Sequence, residues 1–217
     1  MFKFHKFYVL LLAAGFVLGG LNGCDKDGDG EGDGETTPGS NTMKVDGTLT
    51  DGEYGMVSNA EQLSVSFDDE ETWAETVSVS AGKFSITLPK PDAKYLKLLD
   101  DGTVPEGVVI SDKTAQYVSA EFYARKSGSY STYVALQNYT GTSEIWVSYM
   151  YVDKNVSITG SYTEIEDGDT YVYNYNAQLK KGWNIMIENG TKAANGTWTY
   201  NLTANGNIPS GVKWIAP

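Results

Sequence analysis

The chain has 217 residues, a formal net charge of −12, and 28 acidic against 16 basic residues. This acidic balance argues against binding to nucleic acid, or to anionic lipid headgroups by charge. A single cysteine allows no disulfide within one chain, so the folded part must be held together by a hydrophobic core.

The N-terminal segment, residues 1–23, is built like a secretory signal peptide. Lys3 and Lys6 precede an apolar run over 7–18, and small residues follow it. As a helix this run rises about 18 Å, too short for a hydrocarbon core of about 30 Å. We therefore predict a cleaved export signal and not a spanning helix.

The signal ends in Leu21-Asn22-Gly23-Cys24, which resembles the lipobox of bacterial lipoproteins. In that family the thiol is diacylglycerated and the chain is cut before the cysteine. The resemblance implies that Cys24 is the lipidation site and that the lipid bilayer is a partner. Two or more acyl chains would hold the protein durably, whereas one holds it only marginally. The alternative is an ordinary cleaved signal followed by an unmodified thiol.

Residues 25–42 follow the predicted anchor and contain no apolar side chain to bury. We predict that 24–42 forms a disordered acidic tether, about 60 Å long at full extension. An acidic run directly after a lipidated cysteine resembles the surface-export signal of Bacteroidetes-type lipoproteins. That resemblance implies an outer-membrane protein exposed at the cell surface.

The tether also matches the first half of a calcium loop, with Asp25, Asp27, Asp29 and Gly30 in the D-x-D-x-D-G pattern. The twelfth position of such a loop carries a bidentate glutamate, and here it is Thr36. No flanking helices are predicted either, so we expect no metal at this loop.

Residues 43–112 show short runs in which every second residue is apolar, the pattern of strands with one wet face. A tight hairpin turn is predicted at Ala81-Gly82. The sequence over 45–49 and then 82–89 resembles the small transthyretin-like sandwich of carboxypeptidase regulatory domains, which implies a module without catalysis. The predicted strands are 44–49, 62–67, 76–80, 83–88 and 95–99.

Residues 113–217 alternate more clearly. A hairpin that turns at 127–129 would pair Phe122 with Val134 and Tyr123 with Tyr133. A second hairpin, turning at 180–182, would place Trp183, Ile185 and Ile187 opposite Leu179, Ala177 and Tyr175. Further strands are predicted in 144–151, 155–162, 198–202 and 212–215.

These patterns predict an all-β fold, with one or two antiparallel β-sandwich modules after the signal peptide and tether. We place a small sandwich at 43–112 and a second at 113–217. The runs over 151–160 and 179–184 resemble Bacteroidetes-type β-sandwich lipoproteins. That resemblance implies a fold and a surface, and no activity.

Several chemistries are excluded once the signal is removed. Cleavage takes away His5, the only histidine, and acylation uses the only thiol, so no catalytic triad, Cys–His pair or His/Cys zinc site is possible. No phosphate-binding glycine motif is present. A carboxylate pair, as in glycoside hydrolysis, is the enzymatic route left open, and a carboxylate in an aromatic cleft would be the informative case. We expect no catalytic residue and no cofactor.

Packing in the core and between strands is the first explanation for the tyrosines and tryptophans, and strand parity supports it for Trp183, Trp198, Tyr171, Tyr173 and Tyr175. Tyr123, Tyr133 and Trp146 are exceptions, because strand parity puts them on a polar face. If Trp146 lies opposite Ala135, the three rings form a flat platform of the kind that stacks on sugars. We predict a non-catalytic binding module for a glycan or protein ligand. The alternative is a structural or assembly lipoprotein that packs against partner subunits.

Overall fold

The computed structural model describes residues 38–216 except 53–54, 69–71 and 128–129. The predicted signal peptide, Cys24, the half calcium loop and most of the tether lie outside these residues. The described part is all-β, with one 3₁₀ turn at Ala93–Tyr95. Its strands are β1 (Met43–Thr48), β2 (Gln62–Ser66), β3 (Trp73–Ser78), β4 (Lys83–Leu88), β5 (Lys97–Leu98), β6 (Val108–Ile110), β7 (Gln116–Lys126), β8 (Tyr130–Tyr139), β9 (Ser143–Val152), β10 (Val156–Glu166), β11 (Asp169–Leu179), β12 (Gly182–Lys192), β13 (Trp198–Ala204) and β14 (Lys213–Ile215).

The strands form one long sheet and one separate ribbon. The sheet order is β3-β2-β7-β8-β9-β12-β13-β11-β10-β6, with β14 beside β8 and β5 beside β7. The ribbon is an antiparallel pair of β1 and β4. The N-terminal part of β7 pairs with β9 and its C-terminal part with β8, so the sheet changes direction at these strands. The result is a sandwich-like all-β fold, as predicted.

The larger hydrophobic core joins the ribbon to one face of the long sheet. Val45 and Ile86 of the ribbon belong to the same buried cluster as Val65, Phe122 and Ile185. This core therefore contains residues from both sides of the predicted domain boundary at residue 112. The division into two domains stays a prediction.

A second core covers part of the opposite face of the central strands. It includes Leu99 and Ala115 together with Met150, Met186 and Leu202. Strand β12 contributes to both cores, because its successive side chains point to opposite faces.

Two local predictions are confirmed. Ala81 and Gly82 have φ values of 50° and 74°, and Ser80 and Lys83 exchange backbone hydrogen bonds of 3.0 and 2.9 Å around them. Two successive positive φ values are the signature of a type I′ turn. The β7–β8 register also pairs Tyr123 with Tyr133, as expected.

The predicted hairpin of β11 with β12 is wrong. Strand β13 lies between them, parallel to β11 and antiparallel to β12. Trp183, Ile185 and Ile187 accordingly face the larger core, whereas Tyr175 and its neighbours on β11 face the second core. The connection at 180–182 therefore does not form a hairpin: it leads from β11 to β12 across the position that β13 occupies between them. Asn184 holds this connection, since its side chain bonds both the N–H and the C=O of Lys180 at 2.9 and 2.7 Å.

Candidate functional site

The structure does not form the three-ring platform predicted from the sequence. Trp146 lies opposite Gln137 and not opposite Ala135. Strand β8 runs on to Tyr139, so the turn into β9 comes later than expected and moves the register by two residues. Tyr133 is then four residues from the partner of Trp146, about 13 Å along the strand.

The other two platform residues belong to a different cluster. Tyr123 is only 5% exposed, and its ring meets those of Tyr133 and Trp73 edge to face, at 5.8 and 5.4 Å. The Arg125 guanidinium lies 4.7 Å from the Trp73 ring and donates to Ser64 Oγ at 3.2 Å. Tyr123 is thus a covered residue. Trp73 was missed because it follows an acidic stretch with no alternation.

Trp146 instead belongs to a set of side chains on one face of five neighbouring strands. One row across the sheet aligns Glu144, Gly190, Tyr200, Tyr173 and Tyr162. The next row aligns Trp146 with Glu188, and continues to Tyr175. Residues paired across a sheet point to the same side. We call this set the acidic-aromatic face, and its defining members are Glu144, Trp146, Tyr162, Tyr173, Glu188 and Tyr200.

The tyrosines of the acidic-aromatic face form a stacked ladder. The rings of Tyr162 and Tyr173 are 4.8 Å apart at 12°, and those of Tyr173 and Tyr200 are 5.1 Å apart at 15°. Trp198 extends the ladder, with its ring 5.8 Å from that of Tyr200. These spacings match the distance of about 4.8 Å between strands. The rings therefore stack on one another and stand on the sheet instead of lying flat on it.

Two carboxylates are buried beside this ladder. Glu144 and Glu188 are each 7% exposed and lie on adjacent strands, two residues out of direct register. The Glu144 side chain is hydrogen-bonded to the Tyr200 hydroxyl, while Glu144 Oε1 is buried and has no hydrogen-bond partner. Among the described residues no ion pair involves either glutamate. Burying a carboxylate without a cation costs folding free energy, so this pair is a candidate functional site.

The proton affinities reflect this environment. Burial, and then the nearby Glu144, raise the pKa of Glu188 to about 8. Burial and the proximity of Glu144 also raise the pKa of the Tyr200 hydroxyl. Glu188 therefore holds a proton near neutral pH, and this buried carboxyl group is then neutral.

Gly190 makes room for the contact between Glu144 and Tyr200. A Cβ at this position would lie 2.5 Å from a Tyr200 ring atom and 2.9 Å from Glu144 Cγ. Both side chains thus fold over the glycine from the strands on either side of it. The requirement here is space, because the backbone of Gly190 is not in the left-handed region.

Part of this site is predicted by the sequence. Strand parity placed Glu144 beside Trp146, and a carboxylate among aromatic rings was the pattern to look for. Glu188 was missed, because its approach to Glu144 depends on the pairing of β12 with β9, which no local signal predicts.

Another concavity lies at the opposite end of the central strands. A cavity of about 470 Å³ is lined by charged and polar side chains that include Lys90, Asp92, Asp153 and Lys181, together with Tyr151. Two lysines and two aspartates line it, so the lining carries no excess of either charge.

Comparison with protein-family models, curated proteins and solved structures finds no match to the chain. The resemblances to transthyretin-like domains and to Bacteroidetes-type lipoproteins therefore stay predictions. Within the described ranges, no three His, Cys, Asp or Glu side chains are grouped so that they could hold a metal ion. In the same part of the chain, no helix is long and apolar enough to cross a membrane.

Proposed function

We propose that this chain is an exported lipoprotein, anchored by acylated Cys24 to the outer membrane and exposed at the cell surface. Its folded domain would bind a glycan or protein ligand without catalysing a reaction. The acidic-aromatic face is the proposed binding surface, and the observation that carries this is the pair of buried carboxylates set among stacked tyrosines and Trp146.

The position at which the tether joins the domain supports a binding surface that faces away from the membrane. The Gly39 N–H donates to the Trp183 carbonyl at 2.8 Å, and the Trp183 N–H donates to the Ser40 carbonyl at 2.9 Å. The tether thus joins the domain beside the start of β12. Glu188 and Gly190 lie about 17 to 24 Å farther along that strand. A domain held at Cys24 would carry the acidic-aromatic face at the end away from its attachment.

The chemistry of the face suits a polar ligand with apolar surfaces. Ligand sites combine aromatic walls with a few polar groups that fix orientation. Here carboxylates and tyrosine hydroxyls are the polar groups, and Trp146, Tyr162 and Tyr171 are partly exposed at the rim. Sugars offer hydroxyls for the polar groups and C–H surfaces for the Trp146 ring, which is not one of the stacked rings, so a glycan is the favoured ligand.

A glycan array tests the binding surface. The Cys24→Ser chain, which cannot be acylated, is applied with and without Trp146→Ala. Binding should be at least tenfold weaker in the Trp146→Ala chain, whose circular dichroism stays unchanged. Trp73→Ala removes an equally large ring from the other cluster and should leave binding intact. Loss in Trp73→Ala alone would move the site to the Tyr123 cluster.

The anchor has its own test. Cells fed an alkyne-tagged fatty acid should label the wild-type chain and not the Cys24→Ser variant, which should leave the membrane fraction. Labelling of the variant, or equal membrane recovery of both chains, would contradict the anchor.

The second candidate function is a structural or assembly lipoprotein. Its support is the sheet edge formed by β6, where Val109 is 60% exposed, and the exposed Ile165 on the neighbouring strand β10. Unpaired edges and exposed apolar side chains are suited to contact with partner subunits. Recovery in a large complex, together with no glycan response, would favour this function.

A further inference from the structure

We propose that the acidic-aromatic face binds its ligand through a protonated primary amine held by Glu144 and Glu188. This rests on the proposed function and narrows it: the glycan would be an amino sugar, and not a neutral one.

Glu144 and Glu188 have no basic side chain paired with them among the described residues. Two carboxylates more than nine-tenths buried require a proton or a cation, and neither has a basic partner among the described residues. A proton on Glu188 compensates only one of them. Glu144 is hydrogen-bonded to the Tyr200 hydroxyl, and its buried Oε1 has no hydrogen-bond partner among the described residues. A group with a positive charge and N–H donors would supply the hydrogen bond that Glu144 Oε1 does not make.

The number of hydrogen-bond donors also favours an ammonium group. A primary ammonium has three N–H donors and no acceptor. It can donate to Glu144 Oε1 and to the Glu188 carboxylate at once, whereas a neutral hydroxyl supplies one donor and no charge. A metal ion is less suited, because no third acidic, His or Cys side chain in the described part of the chain is grouped with these two carboxylates so that it could complete a metal site.

Aromatic rings on the same face also favour a cation. Cations are attracted to the faces of Trp and Tyr rings. The same face already shows this interaction, because Lys192 Nζ lies 5.7 Å from the centre of the Trp198 ring, one row beyond Tyr200. A ligand ammonium between Glu144, Glu188 and the nearby Trp146 ring would repeat a contact that the chain makes with its own lysine. The tyrosine hydroxyls on neighbouring strands favour a sugar carrier, since they can meet ring hydroxyls.

Binding should be linked to protons. When an ammonium enters, the proton on Glu188 is no longer needed and leaves to solvent, with up to about one proton released per ligand. The groups that face this position come from every neighbouring strand. They are Tyr139 of β8, Glu144 of β9, Glu188 and Lys192 of β12, Tyr200 of β13, Tyr171, Tyr173 and Tyr175 of β11, and Tyr162 and Glu164 of β10.

Titration calorimetry on the full mature lipoprotein in detergent tests the proposal. The probes are a glucosamine tetramer and its fully N-acetylated counterpart, at about pH 6, where the amines are charged and Glu188 is protonated. The glucosamine tetramer should bind at least tenfold more tightly. Glu144→Gln and Glu188→Gln should each remove most of this preference, and the exposed Glu106→Gln should not. Buffers of different ionisation heat should reveal proton release in the wild-type chain, a measurement that needs no variant.

Each negative result would contradict a different part of the proposal. Equal affinity for the two tetramers would overturn the amine preference and leave the glycan-binding proposal standing. Preference retained in both glutamine variants would place the amine elsewhere and overturn the assignment. A lysine tetrapeptide that binds as tightly as the glucosamine tetramer would overturn the sugar carrier. If the tetramers are found hydrolysed to shorter oligomers after the titration, the binding role would be overturned and the carboxylate pair would be assigned to hydrolysis. Binding of neither tetramer, with a blank glycan array, would end the proposed function itself.

Discussion

The Glu144 carboxylate and the Tyr200 hydroxyl meet across strand β12, although their own strands are not adjacent. They are hydrogen-bonded over Gly190, the residue that separates them in the sheet. This contact fixes the buried carboxylate against the end of the tyrosine ladder, and it depends on the absence of a side chain at one position.

Gly190→Ala should therefore destabilise the fold. The added Cβ would overlap the Tyr200 ring and Glu144 Cγ, and overpacking of this kind costs about 1–3 kcal/mol. Urea unfolding of both chains measures the difference. Gly206→Ala is the matched control, because the nearest atom to its Cβ would be Ile187 Cδ1 at 3.5 Å. Equal unfolding free energies for Gly190→Ala and wild type would show that the two side chains are not closed over the glycine.

The protonation of Glu188 predicts a pH dependence of stability. The fold raises the pKa of Glu188 from its ordinary value of 4.5 to about 8, so the folded chain binds this proton more tightly than the unfolded chain. The stabilising contribution is fully present below about pH 4.5 and is lost as the pH rises through about 8. Glu188→Gln keeps the shape of the neutral acid and should melt roughly 5 °C or more above wild type at about pH 9.

The same comparison has an internal control. At about pH 4.5 the two chains should melt within about 2 °C of each other, because Glu188 is then protonated in the folded chain and about half protonated in the unfolded chain, a difference worth only about 0.4 kcal/mol. Exposed Glu106→Gln should follow the wild-type curve throughout. Hydrogen bonds from Ser58 and Thr114 lower the pKa of Asp51 and Asp112, but those groups act only at acid pH, below this window. Parallel curves for wild type and Glu188→Gln would contradict the raised pKa.

The sequence predicts those features that neighbouring residues decide. Ala81-Gly82 makes its turn because the two residues lie between alternating runs, and Tyr123 pairs with Tyr133 because a short loop sets the register. Alternation likewise identifies most of the strands and hence the all-β class. These signals act over a few residues and do not depend on how distant strands pair.

Features set by distant pairing could not be predicted in this way. Nothing in the connection at 180–182 shows that β13 will insert between β11 and β12. The register of Trp146 depends on where β8 ends, and a difference of two residues moved it away from Tyr133 and toward Glu188. The candidate site is made of such contacts, so its residue types were foreseeable and its assembly was not.

The turn at Ala81 offers a stabilising change. Its φ of 50° is in the left-handed region, which costs an alanine about 1 kcal/mol and an asparagine less. Ala81→Asn should raise the unfolding free energy by about 0.5–1 kcal/mol in urea denaturation. Ala93→Asn makes the same change at an exposed position without a positive φ, and should change stability by less than about 0.5 kcal/mol. A loss of stability in Ala81→Asn would mean that the turn does not keep its type I′ form.

Trp183 tests whether the two halves of the chain unfold together. It is fully buried in the larger core, and its Nε1–H donates to the Pro89 carbonyl at 3.0 Å, which links β12 to the end of β4. Trp183→Phe removes this donor and shrinks the ring, at a cost of about 2–4 kcal/mol. Because the larger core draws on both halves, we expect one cooperative transition at a lower urea midpoint, with circular dichroism and tyrosine fluorescence coincident. Trp198→Phe makes the same change in the second core, where no hydrogen bond between described residues joins the Trp198 Nε1 to the other half, and it should cost at least about 1 kcal/mol less. Two separate transitions in Trp183→Phe would show instead that residues on either side of 112 fold as independent units.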